Sequence, residues 1–382
     1  MAAHAIAPIL PVLEQSELTS KLRTLPEPWD TARWISTARA GIAIALQDCG
    51  MENGEVVWVP SYYCLTMTMP IEKVSCKVRF YPLTESLDID MGALRRQFSL
   101  DIRAIVAPHF FGFPQKSMAE LRAFCSEKSI FLLEDCAHSL LGKYEGKRYG
   151  QWGDYAMTSL PKFFPVQEGG LLTSLHGRID ATTYNPGFGK QLKAWVNMAE
   201  DSLQWGRSPP RQSWAHWNAR RKGRSVNETP PLVTIDSNIA DPEALFEMTD
   251  ETITRGVTRA TKHVVEHSDL NAIAQKRRDN YLYFLDSSRG WKQARPIFPE
   301  LPEGTVPYMF PLELKMPSTQ FLALKAAGVP VYRWEHKHPD FHPAICAVGA
   351  RYATSVVQLP VHQSLTDKEA ERISHTLFQL LR

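Results

Sequence analysis

Three short runs of this chain hold residue types that do chemistry, each next to a strand or helix boundary. The first is Glu134-Asp135-Cys136-Ala137-His138-Ser139, which closes the apolar stretch IFLLEDCA (130–137). An acidic side chain leaving a buried strand is costly unless a cation or hydrogen-bond donors meet it. A protonated pyridine nitrogen would meet Asp135, and the carboxylate would keep such a ring charged and electron-withdrawing. Asp135 would serve equally as a cap for the following helix. The second run is Ser159-Leu160-Pro161-Lys162-Phe163-Phe164-Pro165, followed by Glu168-Gly169-Gly170. An ammonium among apolar groups loses hydration, so its pKa falls. A neutral amine can form a Schiff base and shuttle protons. The alternative is a solvated loop lysine, with the glycine pair merely opening a strand. The third run is Thr37-Ala38-Arg39, at the start of STARAGIAIALQDCG (36–50). Free backbone N–H groups at a helix start bind phosphate, and a threonine there is also an ordinary cap.

Other residues add to these. His109, in PHFFG, ends a strand on the same side of the sheet, and Ser61-Tyr62-Tyr63-Cys64 follows the strand at 55–60. An aromatic ring or a thiol at that point would cover a flat ligand. His336, His338 and His342 fall in one loop, with no cysteine or carboxylate at metal-ligand spacing, and read as solvated.

The elements that must position these residues alternate. EVVWVP (55–60), CKVRFYPL (76–83), RAIVAPHFF (103–111), IFLLEDCA (130–137), DYAMTSL (154–160) and GGLLTSL (169–175) are β-rich. Helix-like segments lie between several of them, the clearest being 117–129 with Met118, Leu121, Phe124 and Cys125 on one face. Such alternation predicts a mostly parallel sheet covered on both faces. Residues 36–50 read as a helix ended by Gly50. Residues 186–231 form a Trp-rich, basic insertion holding Trp195, Trp205, Trp214, Trp217, Pro209-Pro210 and Arg220-Arg221-Lys222 with Arg224. Its tryptophans either pack on the surface or a second subunit, or the segment is a lid for an anionic substrate. Residues 251–286 have no proline and one glycine, which predicts one long helix or two. The tail mixes short strands (306–314, 329–334) with helices (319–328, 366–382). The chain therefore divides into a large α/β domain, 1–250, and a small C-terminal α+β domain, 251–382.

Composition narrows the function classes. A formal net charge of +2 gives no field that would favour nucleic acid or an anionic membrane. No apolar run reaches the length of a membrane span. The N-terminus lacks a basic region before its proline-broken apolar stretch, so no signal peptide is expected and the location reads as cytoplasmic. Six scattered cysteines without a CxxC pair or a Cys/His cluster predict reduced thiols and no metal site. No GxGxxG follows a first strand, which removes a dinucleotide-binding Rossmann enzyme.

Taken in order, the helix start at 37–39, VPSYY (59–63), PHFFG (108–112), EDCAH (134–138) and SLPK…EGG (159–170) resemble the DegT/DnrJ/EryC1/StrS family of pyridoxal-phosphate (PLP) enzymes, the sugar aminotransferases. The resemblance runs over about residues 35–175 and returns in QLPVHQSLTDKE (358–369). It implies an aspartate-aminotransferase-like, fold-type-I α/β architecture. By the same resemblance Asp135 is the partner of the pyridine nitrogen and Lys162 the Schiff-base lysine. His138 stands where most members have glutamine, near the phenolic oxygen. Thr37, Ala38, Arg39 and Ser159 hold the phosphate. Cys64 falls where many members have a ring-stacking aromatic, and Tyr62, His109 and His362 are substrate-side candidates. The lysine loop is shorter than the family pattern, and the Asn-Tyr-Arg segment that reaches the partner subunit has no match. The resemblance implies a homodimeric, PLP-dependent aminotransferase. It would move an amino group from an amino acid, glutamate or glutamine, to a keto sugar, often nucleotide-linked. Lys162 argues against the dehydratase branch, which carries histidine there. The rival readings are another PLP reaction on an amino acid (lyase, racemase or decarboxylase) and a non-catalytic relative.

Overall fold

The computed structural model describes residues 5–14, 21–177, 179, 183–207, 248–335, 337–344 and 347–382. The first half builds β1 (Arg33–Ile35), α1 (Ala38–Asp48), β2 (Val56–Pro60), α2 (Met69–Lys73), β3 (Lys77–Tyr81), α3 (Met91–Gln97), β4 (Ile102–Pro108), α4 (Met118–Lys128) and β5 (Phe131–Asp135). A two-residue hairpin, β6 (Lys143–Tyr144) and β7 (Lys147–Arg148), precedes β8 (Tyr155–Ser159) and β9 (Gly170–Ser174). Seven of these strands form one sheet in the order β1-β9-β8-β5-β4-β2-β3. Neighbours from β3 to β8 pair in parallel, and β9 alone runs against both of its neighbours. This is the mostly parallel α/β sheet expected from the alternation.

The strands are apolar on both faces because both faces are covered. Val56 and Trp58 of β2 join one buried cluster, while Val57 and Val59 join the other. β4 divides the same way, Ile105 and Ala107 against Ala104 and Val106, as the period-2 pleat requires. α1 lies against β8 and β9 with Ala40 through Leu46 buried, and Gly50 ends it at φ 70°. α4 buries the expected face, Met118, Leu121, Phe124 and Cys125.

The rest of the chain builds α5 (Phe188–Gln204), α6 (Asp250–Thr254), α7 (Arg259–His267), α8 (Leu270–Ser287), β10 (Ala294–Pro296), β11 (Met309–Leu314), α9 (Pro317–Ala326), α10 (Ala347–Ser355), β12 (Val356–Pro360) and α11 (Asp367–Leu381). β10, β11 and β12 form an antiparallel sheet. Where one long helix or two were expected over 251–286, three stand. Thr258 and Asp269 are extended and turn their side-chain oxygens onto the N–H groups that follow, which starts a new helix at each. The strand expected at 329–334 reduces to a single bridge, Tyr332 to Gln358. The N-terminal residues pack on later elements. Ile6 N–H donates to Gly328 O (2.8 Å), Val12 N–H to Ser364 Oγ (3.1 Å), and Ser202 Oγ–H to Leu13 O (2.6 Å). No helix among the described residues is long and apolar enough to cross a membrane.

Candidate active site

Five chain exits meet at one edge of the seven-stranded sheet, the edge where the parallel strands end. β1 leads to Thr37, β2 to Cys64, β4 to His109, β5 to Asp135 and His138, and β8 to Ser159 and Lys162. Ligands of such sheets sit outside this edge. A cavity of about 310 Å³ opens there, and Thr37, Ala38, Arg39, Cys64, His109, Asp135, His138, Ser159 and Lys162 all line it. Residues up to 125 positions apart in sequence are brought together by strand order alone.

Close backbone approach shapes one wall. Thr37 caps α1, its Oγ1 accepting from Ala40 N–H at 3.2 Å. The start of α1 lies so near β9 that a Cβ on Gly170 would sit 2.8 Å from Ala38 N and 2.8 Å from Thr158 O. Gly169, at φ 114°, donates to Ser36 O (2.7 Å) while its carbonyl accepts from Leu160 N–H (3.0 Å). The glycine pair therefore fastens the lysine loop to the helix start, a role beyond opening a strand.

Lys162 ends a single 3₁₀ turn, Leu160–Lys162, whose prolyl residue sets the turn. Burial pushes its ammonium below the ordinary lysine value, and the charge of Asp135 and the nearby Cys64 offset this only in part. Asp135 is pushed up by burial, against the pull of Lys162, the Ala137 N–H (2.8 Å) and His109. Burial thus disfavours the charged form of both groups, and each charge supports the other. Arg39, also lining the cavity, has its charged form disfavoured by burial and supported by Cys64.

The two histidines differ in what they can offer. His138 Nδ1 accepts from Phe111 N–H at 3.1 Å, so its proton sits on Nε2. Burial, and then the charge of Lys162, hold it well below the usual histidine range. The ring is stacked against Tyr308 (4.6 Å between centroids) and Phe111 (5.7 Å), which leaves a fixed neutral imidazole. Phe111 reaches this position at φ 57°, an uncommon conformation for a bulky residue. His109 has both nitrogens engaged: Nδ1 accepts from Gln115 N–H (3.0 Å) and Nε2 donates to Glu134 (2.9 Å). It borders the cavity without a free polar atom. His109, Glu134 and Cys136 lie close enough to suggest a metal site. However, the Glu134 oxygens already accept from His109, Gly150, Trp152 and Gly153.

Two expected residues stand elsewhere. Tyr62 does not line the cavity and packs behind it, 4.9 Å from the Trp334 ring. His362 is fully buried away from the cavity and donates from Nε2 to Pro8 O (3.0 Å). Burial lowers its pKa to about 3. Trp334 lines the cavity instead, and Tyr308 lies with its ring centroid 5.4 Å from Lys162 Nζ. Sequence spacing carried no sign of either, because both come from the second half of the chain. Of the Trp-rich insertion, Trp195 and Trp205 fall on or next to α5. Trp214, Trp217, the proline pair and the basic run lie outside the described residues, as does His336.

Residues 31–193 match the DegT/DnrJ/EryC1/StrS aminotransferase family, so the resemblance expected from the motifs holds over that stretch. The chain is 26% identical to GDP-perosamine synthase of Vibrio cholerae over 146 residues, 37% of this chain and 40% of that protein. It is 26% identical to L-glutamine:2-deoxy-scyllo-inosose aminotransferase of Micromonospora echinospora over 163 residues, 40% of this chain and 39% of that protein. The chain thus spans about two fifths of the length of the curated relatives it matches. The aminotransferase TlmJ of Streptoalloteichus hindustanus shares the fold, with a TM-score of 0.66 at 15% identity, covering 100% of this chain and 99% of that one. The architecture is that of the fold-type-I aminotransferases.

Proposed function

We propose that this protein is a PLP-dependent aminotransferase that takes an amino group from an amino acid, glutamate or glutamine, and gives it to a keto sugar, often nucleotide-linked. One observation carries the reading. A lysine amine and a carboxyl group, both half-buried, share one cavity with a helix start at the strand-end edge of a parallel sheet. The names of the relatives, sugar and cyclitol amine enzymes, support the acceptor class.

The residues fit the cofactor by chemistry. A half-buried carboxyl with no arginine or lysine salt bridge among the described residues suits a ring nitrogen, and the Asp135 carboxylate would keep a proton on that nitrogen. The N-terminus of α1, with Thr37, Ala38 and Arg39, and Ser159 across from it, would receive the phosphate. His138 would donate its Nε2 proton to the ring oxygen. Lys162 would bind the aldehyde carbon. When bound, PLP supplies a conjugated cationic ring that takes up negative charge from the substrate carbon. Lys162, tending to neutrality, can hold and move a proton at Nζ as base and then as acid. Trp334, Phe110 and Met67 make part of the cavity wall apolar. The reading includes a homodimer in the cytoplasm and a division of the chain near residue 250.

The test is an absorbance spectrum of the protein with PLP, before and after borohydride, beside Lys162→Ala. A visible band that borohydride abolishes and the variant lacks supports the reading. Its absence from the parent protein overturns it. With ¹⁵N-labelled glutamate or glutamine, label recovered in a keto-sugar acceptor separates transamination from a lyase, racemase or decarboxylase.

A further inference from the structure

Arg277, on α8, is fully buried, and among the described residues no carboxylate pairs with it. Its partners are carbonyl-type oxygens. Nη2 donates to Lys162 O at 2.7 Å, Nη1 to Pro307 O and Tyr308 O at 3.3 Å each, and Nε to Gln363 Oε1 at 3.2 Å. The guanidinium carbon lies 4.7 Å from the centroid of the Phe163 ring. Gln363, three residues beyond β12, donates from Nε2 to Phe163 O at 2.8 Å. Two consecutive carbonyls of the lysine loop are therefore held by two side chains from outside the loop, and those side chains are bonded to each other.

Local geometry explains why the loop accepts them. The 3₁₀ turn at Leu160–Lys162 uses the Leu160 carbonyl for Phe163 N–H (3.0 Å) and Phe164 N–H (2.8 Å). The carbonyls at the end of a short helical turn have no partner inside it. An apolar side chain would pack this space without burying an unneutralised cation, which is expensive. What the guanidinium adds is register. The same group holds the backbone that carries the Lys162 amine and the backbone of Tyr308, whose ring that amine faces at 5.4 Å. Tyr308 in turn stacks on His138.

We propose that Arg277 and Gln363 are positioning residues that lock the Lys162–Phe163 backbone, so that the lysine amine is aimed at the Asp135–His138 side of the cavity. This rests on the reading of Lys162 as the cofactor lysine. The clamp ties the lysine loop of the large sheet to α8 and to the segment after β12, so the aim of the amine depends on how those elements dock.

The experiment uses Arg277→Lys, which keeps one charge and loses the fork. It also uses Gln363→Leu, and Gln363→Glu, which keeps the acceptor for Arg277 Nε and removes the donor to Phe163 O. Each apoprotein is melted. Reductive methylation of Lys162 by formaldehyde and cyanoborohydride is then followed across pH by peptide mass spectrometry. Finally, the rate at which the visible band grows on adding PLP is measured. The expected result is folded variants whose Lys162 methylation midpoint moves toward ordinary lysine by half a unit or more, with band growth at least ten-fold slower. Folded variants with the parent's midpoint and rate would overturn the proposal. If Gln363→Leu does not fold, Gln363→Glu decides by the same criteria. If the parent forms no band while the variants still shift the methylation midpoint, the clamp stands and the cofactor reading falls.

Discussion

Glu134→Gln replaces one oxygen of a fully buried carboxylate with an amide nitrogen, and the structure sets the consequence. Oε1 accepts from His109 Nε2 (2.9 Å) and Gly150 N–H (2.7 Å), and Oε2 from Trp152 N–H (2.8 Å) and Gly153 N–H (3.0 Å). Whichever way the glutamine amide turns, its NH₂ group faces two donors and has no lone pair for either. Each buried donor left without an acceptor costs about 1–3 kcal/mol, so the variant should lose about 4 kcal/mol. That is a large share of the 5–15 kcal/mol that typically separates folded from unfolded domains. Urea unfolding followed by tryptophan fluorescence at neutral pH measures it. The pH dependence has a definite sign. Burial alone would push the Glu134 carboxyl up. The hydrogen bond and charge of His109, with the N–H groups of Gly150 and Trp152, outweigh burial and hold it below the usual glutamate range. A group lowered in the folded state stabilises above its unfolded value of about 4.3, and that contribution is lost as pH falls through the folded value. The gap between parent and variant should therefore be full at neutral pH and shrink in acid below about pH 4. A gap under about 1 kcal/mol at pH 7, or one that widens in acid, would refute the reasoning.

Asp135→Asn removes the charge that supports the Lys162 ammonium. The pH midpoint of Lys162 methylation should fall by roughly one unit or more, and an unchanged or raised midpoint would contradict the pairing. Gly170→Ala places a Cβ 2.8 Å from Ala38 N and Thr158 O, both backbone atoms, so the chain itself must move. The start of α1 must shift, and PLP should bind at least ten-fold more weakly, about 1.4 kcal/mol, in a titration of the visible band. Parent-like affinity would show that the helix start does not hold the phosphate.

The strands of the large sheet were legible because apolar runs such as VVWVP and FLLED are buried on both faces, and local composition records that. The residues at the strand ends were legible only as a set. Each alone reads as readily as a helix cap or a solvated lysine, and only their order along the chain resembled the family pattern; Asp135, His138, Ser159 and Lys162 all line the cavity. The breaks in 251–286 were harder to see. Thr258 and Asp269 break the helical run by accepting from the backbone N–H groups two or three residues later, a choice made by side-chain conformation rather than by proline or glycine.

Local sequence determined which strands form, which loops follow them and which side chains those loops carry. Strand order decided that five loops share one edge, because hydrogen-bond pairing between distant segments leaves no mark in the composition of either. The second half shows the limit most clearly. The segment QLPVHQSLTDKE pointed to the right place, yet His362 turns away to Pro8 O while the next residue, Gln363, reaches Phe163 O. Arg277 and Trp334 reach the lysine loop and the cavity from α8 and from beyond Tyr332. Which of two adjacent side chains faces a site depends on the backbone rotation set by packing against other elements. That rotation is a property of the assembled fold, not of any stretch of sequence read by itself.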